Sequence, residues 1–263
     1  MSCTYRIILC FDGGPRSLEA PVLTLNYLQD RFFDAAGERF TFSWVDLSVG
    51  YGESNILPLL IAACPDRFHV FIKSLAAQMA MKGPLQTSWS DHPCMKYNFR
   101  DLQKHVLLTH HDLLTGKLIP LTTTSPYQDS MRVDALLDRF VRKELTDITN
   151  TGQRTADDLV FNPIQHAVNL ATCLYPEDSL VFISFGTQAR KLATKITSEL
   201  DHLHLQEQAR QNKKLHYFRI APPIDPACTF MENKKNVETF LEQEIPSVDR
   251  LYRLMEIKAG RLL

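Results

Sequence analysis

Gly50, Tyr51, Gly52, Glu53 and Ser54 follow the apolar run Phe40–Val49 and precede the apolar stretch Ile56–Ala63. A buried strand, a tight turn and a helix in that order form the nucleophile elbow of serine acyl hydrolases. There G-x-S-x-G lifts a serine hydroxyl to the apex of a strained turn. Here the apex is Gly52, which has no side chain with which to form an acyl-enzyme. Ser54 offers a second register, Gly52-Glu53-Ser54-Asn55-Ile56, of the form G-x-S-x-I. That register puts bulky Ile56 where glycine normally lets helix and strand approach. Ser54 therefore reads first as a serine at a helix N-terminus capping its own turn.

Asp12-Gly13-Gly14, after the apolar run Tyr5–Phe11, is the second chemical candidate. Such a turn directs backbone N–H groups at one point, which suits a developing oxyanion, and the next helix adds positive potential. Taken alone, it equally describes a simple tight turn. Glycine is scarce, 10 of 263 residues, about half the usual roughly 7%. Five of the ten (Gly13, Gly14, Gly50, Gly52, Gly186) fall at expected strand ends that would line one site.

The histidines carry less. His110-His111-Asp112, with His105 upstream, could suggest a metal, but neighbours in a strand point to opposite faces and share an ion poorly. His202 and His204 lie on opposite sides of a helix. Asp46 could serve as a base, yet within a strand it is expected to bond locally. No metal and no organic cofactor is expected.

The elements that must position these residues alternate. Strands are expected at Tyr5–Phe11, Phe40–Val49, His105–Asp112, Lys117–Thr123, Leu180–Phe185 and Leu215–Ile220. Helices are expected from Pro21 onward, at Ile56–Ala63, Phe68–Met81, Val133–Leu145, Pro163–Leu174 and Ala189–Gln211, and within Lys235–Leu262. Residues Gly83–Asn98 show no clear period and read as an irregular, lid-like excursion. Alternation of this kind predicts an α/β layered fold with a largely parallel sheet. No repeat or linker interrupts it, so one domain over 1–263 is the expectation.

Composition is that of an ordinary globular chain, with 44% hydrophobic and 22% charged residues. A formal net charge of -1 gives no global field for nucleic acid or an anionic membrane. The N-terminus lacks a signal-peptide pattern, and no apolar stretch reaches the roughly 18 residues of a spanning helix. Among six cysteines there is no CxxC pair, and Cys10 and Cys64 read as small buried hydrophobes. A soluble, cytoplasmic or peripheral-membrane protein is expected; a secreted effector without a standard signal would look the same. Phe71–Met81 with the Trp89 loop could form a lipid-facing lip, although core packing explains such a stripe more simply. The closing segment around Leu251, Leu254 and Ile257 reads as docked on the domain, with a partner or membrane surface as its other use.

Six segments in order resemble the patatin-like phospholipase family, from about residue 5 to 255. FDGGPRSLEAPVLTLNYLQDRF (11–32) is similar to the DGGGxRG turn and its L-x-x-L helix. VDLSVGYGESNILPLLIA (45–62) looks like the FDxxxGTSTGG elbow. LLTHHDLLTGKLIPL (107–121) resembles TDLxTGK, and DDLVFNPIQHAVNLA (157–171) the segment that carries the catalytic aspartate. SLVFISFGTQ (179–188) is similar to the strand ending S-x-GTG, and HYFRI (216–220) to a late YxRI strand.

The resemblance implies a three-layer α/β/α fold with a mainly parallel sheet, a Ser–Asp dyad acting on lipid esters, and a glycine oxyanion hole at Gly13 and Gly14. Aspartate in such a dyad helps accept the serine proton before acyl transfer. The chain departs from that pattern at each part. The nucleophile position is Gly52. Ser54 and Asn55 replace the glycine pair that closes the elbow. Pro15, which has no N–H, replaces the third oxyanion glycine, and Arg16 stands one position from the usual arginine. An ungapped match puts Thr155 at the aspartate position, whereas a two-residue deletion puts Asp157 there with Asp158 in place of glycine.

Loss of the nucleophile alone removes orders of magnitude of turnover. The expected function is thus a non-catalytic relative holding a lipid or acyl group in the retained cleft, or binding a protein partner or an active paralogue. The alternative is an active lipid acyl hydrolase using Ser54 with Asp157 or Asp158.

Overall fold

A computed structural model describes residues 4–13, 18–36, 42–81, 92–112, 117–125, 131–141, 163–187, 195–225, 227–244, 249–250 and 252–253. At its centre lies β1 (Tyr5–Phe11), apolar at nearly every position because it is covered on both faces. It pairs in parallel with β2 (Leu47–Tyr51) and β5 (Ser179–Phe185). Outside these lie β3 (His105–Asp112), parallel to β2, and β6 (Leu215–Ile220), parallel to β5. Strand β4 (Lys117–Thr122) folds back antiparallel on β3, so the order is β4-β3-β2-β1-β5-β6.

Alternation along β1 divides the core in two. Ile7, Leu9 and Phe11 pack with α1 (Glu19–Ala36), α2 (Ile56–Ala63), α3 (Phe68–Ala80), α4 (Val133–Val141) and α7 (Phe230–Gln243). Ile8 and Cys10 pack on the other face with Ile164, Ala167 and Ala171 of α5 (Ile164–Leu174) and Leu205 of α6 (Lys195–Gln211). Helices thus cover both faces of a mostly parallel sheet, a three-layer α/β/α arrangement as expected.

Element boundaries follow local chemistry. Pro21 and Pro58 are each the third residue of their helix, where a missing N–H breaks no intrahelical bond. Helix α7 starts at Phe230, five residues before the expected Lys235. A reciprocal capping box fixes that start: Glu232 N–H donates to Thr229 Oγ1 at 3.3 Å and Thr229 N–H donates to Glu232 Oε2 at 2.7 Å. Buried Asn233 then ties α7 to α1 by donating to Glu19 Oε1 at 3.0 Å.

The strand expected from Phe40 instead begins at Leu47. Phe42 is drawn out of the ladder: its ring packs edge-on against Phe68 at 4.5 Å, and its N–H donates to Pro65 O at 3.1 Å. Asp46 marks the junction, accepting from Ile7 N–H at 2.8 Å and from Arg6 at 3.2 Å. Its role is structural, as expected, but its partners lie 39 and 40 residues away in the sequence and not locally.

The expected turn at Thr115-Gly116, the Trp89 loop, and the end of the helix expected to Leu145 lie outside the described residues. Among the described residues, no single helix is long and apolar enough to cross a membrane. The apolar segments Gly52–Ala63 and Pro65–Ala80 are bent by 110° from each other, and every residue of α2 is buried within the domain.

Candidate functional site at the strand ends

The C-terminal ends of β1, β2, β5 and β6 converge on the turns that carry the predicted residues. Strand β2 stays extended through Tyr51 (φ -133°, ψ 138°), and Gly52 then reverses the chain at φ 58°. That is the left-handed region, which side chains with a Cβ adopt at a cost. A single turn of 3₁₀ helix, Gly52–Asn55, leads directly into α2. The backbone therefore has the strand–turn–helix form of an elbow, with the left-handed residue at position 52.

Close packing under this turn depends on Gly50. A Cβ there would lie 2.9 Å from Asn55 Oδ1 and 3.0 Å from both the Asn55 Cα and Pro58 Cγ. The Asn55 side chain extends the sheet in place of backbone. Its Nδ2 donates to Thr109 O at 2.9 Å, and its Oδ1 accepts from Thr109 N–H at 3.4 Å. Thr109 in turn donates its hydroxyl to Gly50 O at 2.7 Å. All three residues are buried, so this lattice fixes the elbow rigidly against β3.

Ser54 is fully buried, and its Oγ donates to the backbone carbonyl of Asp12 at 2.8 Å. The bond joins the β2 turn to the β1 turn. It also commits the hydroxyl proton to a carbonyl, which is too weak a base to activate a nucleophile. Tyr51, 2% exposed, lays its ring against Gly13, and a Cβ at Gly13 would overlap that ring. The space above the first oxyanion candidate is thus filled by an aromatic side chain. Gly14, Asp157 and Asp158 lie outside the described residues, as do Pro15, Arg16 and Thr155.

Asp12 is the node of the site. Its N–H donates to Phe185 O at 3.0 Å and its carbonyl accepts from Ser54. Its carboxylate points to the opposite face of the sheet. There Oδ2 meets Arg219 Nη2 at 2.6 Å and His202 Nε2 at 3.5 Å. Arg219 also donates to Ser184 Oγ at 2.8 Å, and His202 Nδ1 contacts the Tyr217 hydroxyl.

Register explains this meeting. Cys10, Ser184 and Arg219 are partners across β1, β5 and β6, so Asp12, two residues beyond Cys10, emerges on their face. Gly186 completes the arrangement, because a Cβ there would overlap both the Asp12 carboxylate and the Arg219 guanidinium. Burial alone would push the Asp12 carboxyl up, but the charge of Arg219 and then the hydrogen bond from His202 outweigh it and hold it below the ordinary range. Burial, followed by Asp12, pushes the Cys10 thiol well up, which leaves it protonated and inert.

Asp12 Oδ1 is buried and has no hydrogen-bond partner among the described residues. The edge therefore holds one buried carboxylate oxygen beside a fixed guanidinium. Its hydroxyls are engaged: Ser54 and Thr109 donate to carbonyls, and Ser184 accepts from Arg219.

Sequence reasoning does not find Arg219 and Tyr217 as site residues, and it weighs His202 only as a poor metal ligand. His202 carries a legible signal, since it stands three residues before buried Leu205 on α6, and helical spacing puts both on the inward face.

No family model matches the chain, and no curated protein matches it.

Proposed function

We propose that this protein is a non-hydrolytic relative of the patatin-like acyl hydrolases that uses the strand-end site to bind rather than to cleave. A lipid or acyl group is the expected occupant, with a protein partner or a working paralogue as the other candidate. The observation that carries this reading is Gly52: the residue at the left-handed apex of the β2 turn has no side chain. Three further features support it. Ser54 is tied to a backbone carbonyl, the Tyr51 ring covers Gly13, and the Asp12 carboxylate is held by Arg219. Without a nucleophile, an elbow retains only its architecture, namely a rigid turn, a helix N-terminus and a nearby polar cluster.

A fluorophosphonate probe tests the reading on the full chain. No covalent labelling is expected. Labelling that disappears in Ser54→Ala would establish an active hydrolase and overturn the proposal. Native mass spectrometry of the purified protein should then reveal a retained lipid or acyl species, and a co-purifying polypeptide would favour the partner role. Gly52→Ser provides the complementary measurement, because even weak esterase activity in that variant would show that the frame of a hydrolase persists around the missing hydroxyl.

A further inference from the structure

Far from the strand-end site, at the other end of α2, three side chains with metal-binding atoms meet. Helix α2 is eight residues long, so its ends lie about 12 Å apart. Cys64 caps its C-terminus and is buried, with its N–H held by Leu60 O at 3.0 Å. His92 and Cys94 are brought to it by the short 3₁₀ turn Pro93–Lys96. The ligand atoms of Cys64, His92 and Cys94 all lie within 4.8 Å of one another.

We propose that Cys64, His92 and Cys94 form a zinc site, a Cys₂His set that supplies three ligands from the described residues. The distances fit the ion. With Zn–S near 2.3 Å and Zn–N near 2.0–2.1 Å, a tetrahedral S···N edge is about 3.6 Å. Cys64 Sγ and His92 Nδ1 are 3.7 Å apart. Closing the remaining edges asks for small rotations of half-buried side chains, not for movement of the fold.

The histidine is arranged for the role. Its ring stands edge-on to Phe71 at 5.8 Å, which limits its rotation. Nδ1 faces both the Cys94 N–H at 3.3 Å and Cys64 Sγ at 3.7 Å, so in the tautomer protonated at Nε2 its lone pair is on the side of the cluster. A metal would replace that long hydrogen bond. Arg67 Nη1, which can only donate, lies 3.4 Å from Nε2 and favours the other tautomer, so zinc at Nδ1 requires Arg67 to turn to solvent from its exposed position.

Two thiolates and an imidazole select a borderline-soft ion over magnesium or calcium, which take oxygen ligands. The thiols enter as thiolates, each losing its proton to solvent as the metal binds, so the bound centre carries no net charge from its first three ligands. The ion would clamp the segment at 92–96 onto the corner between α2 and α3.

The test uses the full reduced chain, titrated with cobalt(II) and then zinc. One equivalent is expected to bind, with intense thiolate-to-cobalt charge-transfer bands and tetrahedral visible bands, both lost on zinc addition. Chelator competition should give a zinc Kd of about 1 µM or tighter. Cys64 is buried, so Cys64→Ser could fail to fold. Cys94→Ser and His92→Gln, at half-buried positions, carry the argument, each weakening zinc at least about 100-fold. Cys173→Ser, at an exposed free thiol, should change nothing. Absence of thiolate bands, or affinity untouched by Cys94→Ser and His92→Gln, would overturn the site. So would a Cys64–Cys94 disulfide in the freshly purified protein that persists whether or not zinc is supplied during expression.

Discussion

Ser54 and Asp12 are joined by a hydrogen bond of 2.8 Å from the serine hydroxyl to the aspartate backbone carbonyl. The bond bridges 42 residues of sequence and links the turns after β1 and β2. The same aspartate sends its carboxylate through the sheet edge to Arg219 and His202. One residue therefore couples the elbow on one face to the ion pair on the other.

Ser54→Ala removes the donor to a buried carbonyl and is expected to cost about 1–3 kcal/mol of stability, the penalty of an unsatisfied buried acceptor. Urea unfolding monitored by circular dichroism measures it. A loss near zero would mean that this bond does not hold the two turns together.

Gly13 and Tyr51 should behave as a coupled pair. Gly13→Ala forces its methyl group into the Tyr51 ring, an overpacking that costs roughly 1–3 kcal/mol. In a Tyr51→Ala background the clash is gone, so the same glycine substitution should cost far less. A double-mutant cycle with additive terms would show that the ring does not sit on the turn.

Gly52→Ala is expected to destabilise the chain by roughly 1–2 kcal/mol because it places a Cβ on a left-handed residue. Gly52→Asn should cost less, since asparagine tolerates that conformation better. Comparing the two denaturation midpoints separates backbone strain from any effect of added side-chain volume. Equal midpoints would contradict a positive φ at this position.

The ion pair makes stability depend on acid in a definite direction. The folded Asp12 carboxyl titrates below its unfolded value of about 3.9. Its contribution is therefore complete above the unfolded value and disappears as pH falls through the folded one. Arg219→Met leaves a buried carboxylate without its partner, at an expected cost of about 3–5 kcal/mol at neutral pH. The gap between wild type and variant should narrow as the medium is acidified, because protonation relieves the unpaired charge. Urea midpoints taken from neutral pH down to the acid limb test this, and a gap independent of pH would refute the assignment.

Much of the scaffold was readable because burial leaves a plain signature. The runs in β1 and β5 are apolar at most positions, Arg6, Ser179 and Ser184 excepted, as strands covered on both faces require. Ile56–Ala63 was legible as a helix, since its apolar run is too long and too unbroken to be a turn. Strand β2 was misjudged at its start, because Phe42 has the character of a strand residue yet spends its ring on Phe68. The start of α7 was missed although Thr229 and Glu232 carry the capping-box spacing. The peripheral cluster was invisible to spacing rules, since Cys64 and His92 are 28 residues apart and only the path of the chain brings them together.

By itself the sequence determined where the chain alternates between strand and helix, and that position 52 has no hydroxyl. Those are local properties, written in side-chain type and period. Tertiary structure alone decided that the Ser54 hydroxyl ends on a carbonyl, and that Tyr51 fills the space over Gly13. It also decided that Asp12, Arg219 and His202 share one buried point. Strand register and helix placement set those meetings, and both depend on packing between segments far apart in the chain.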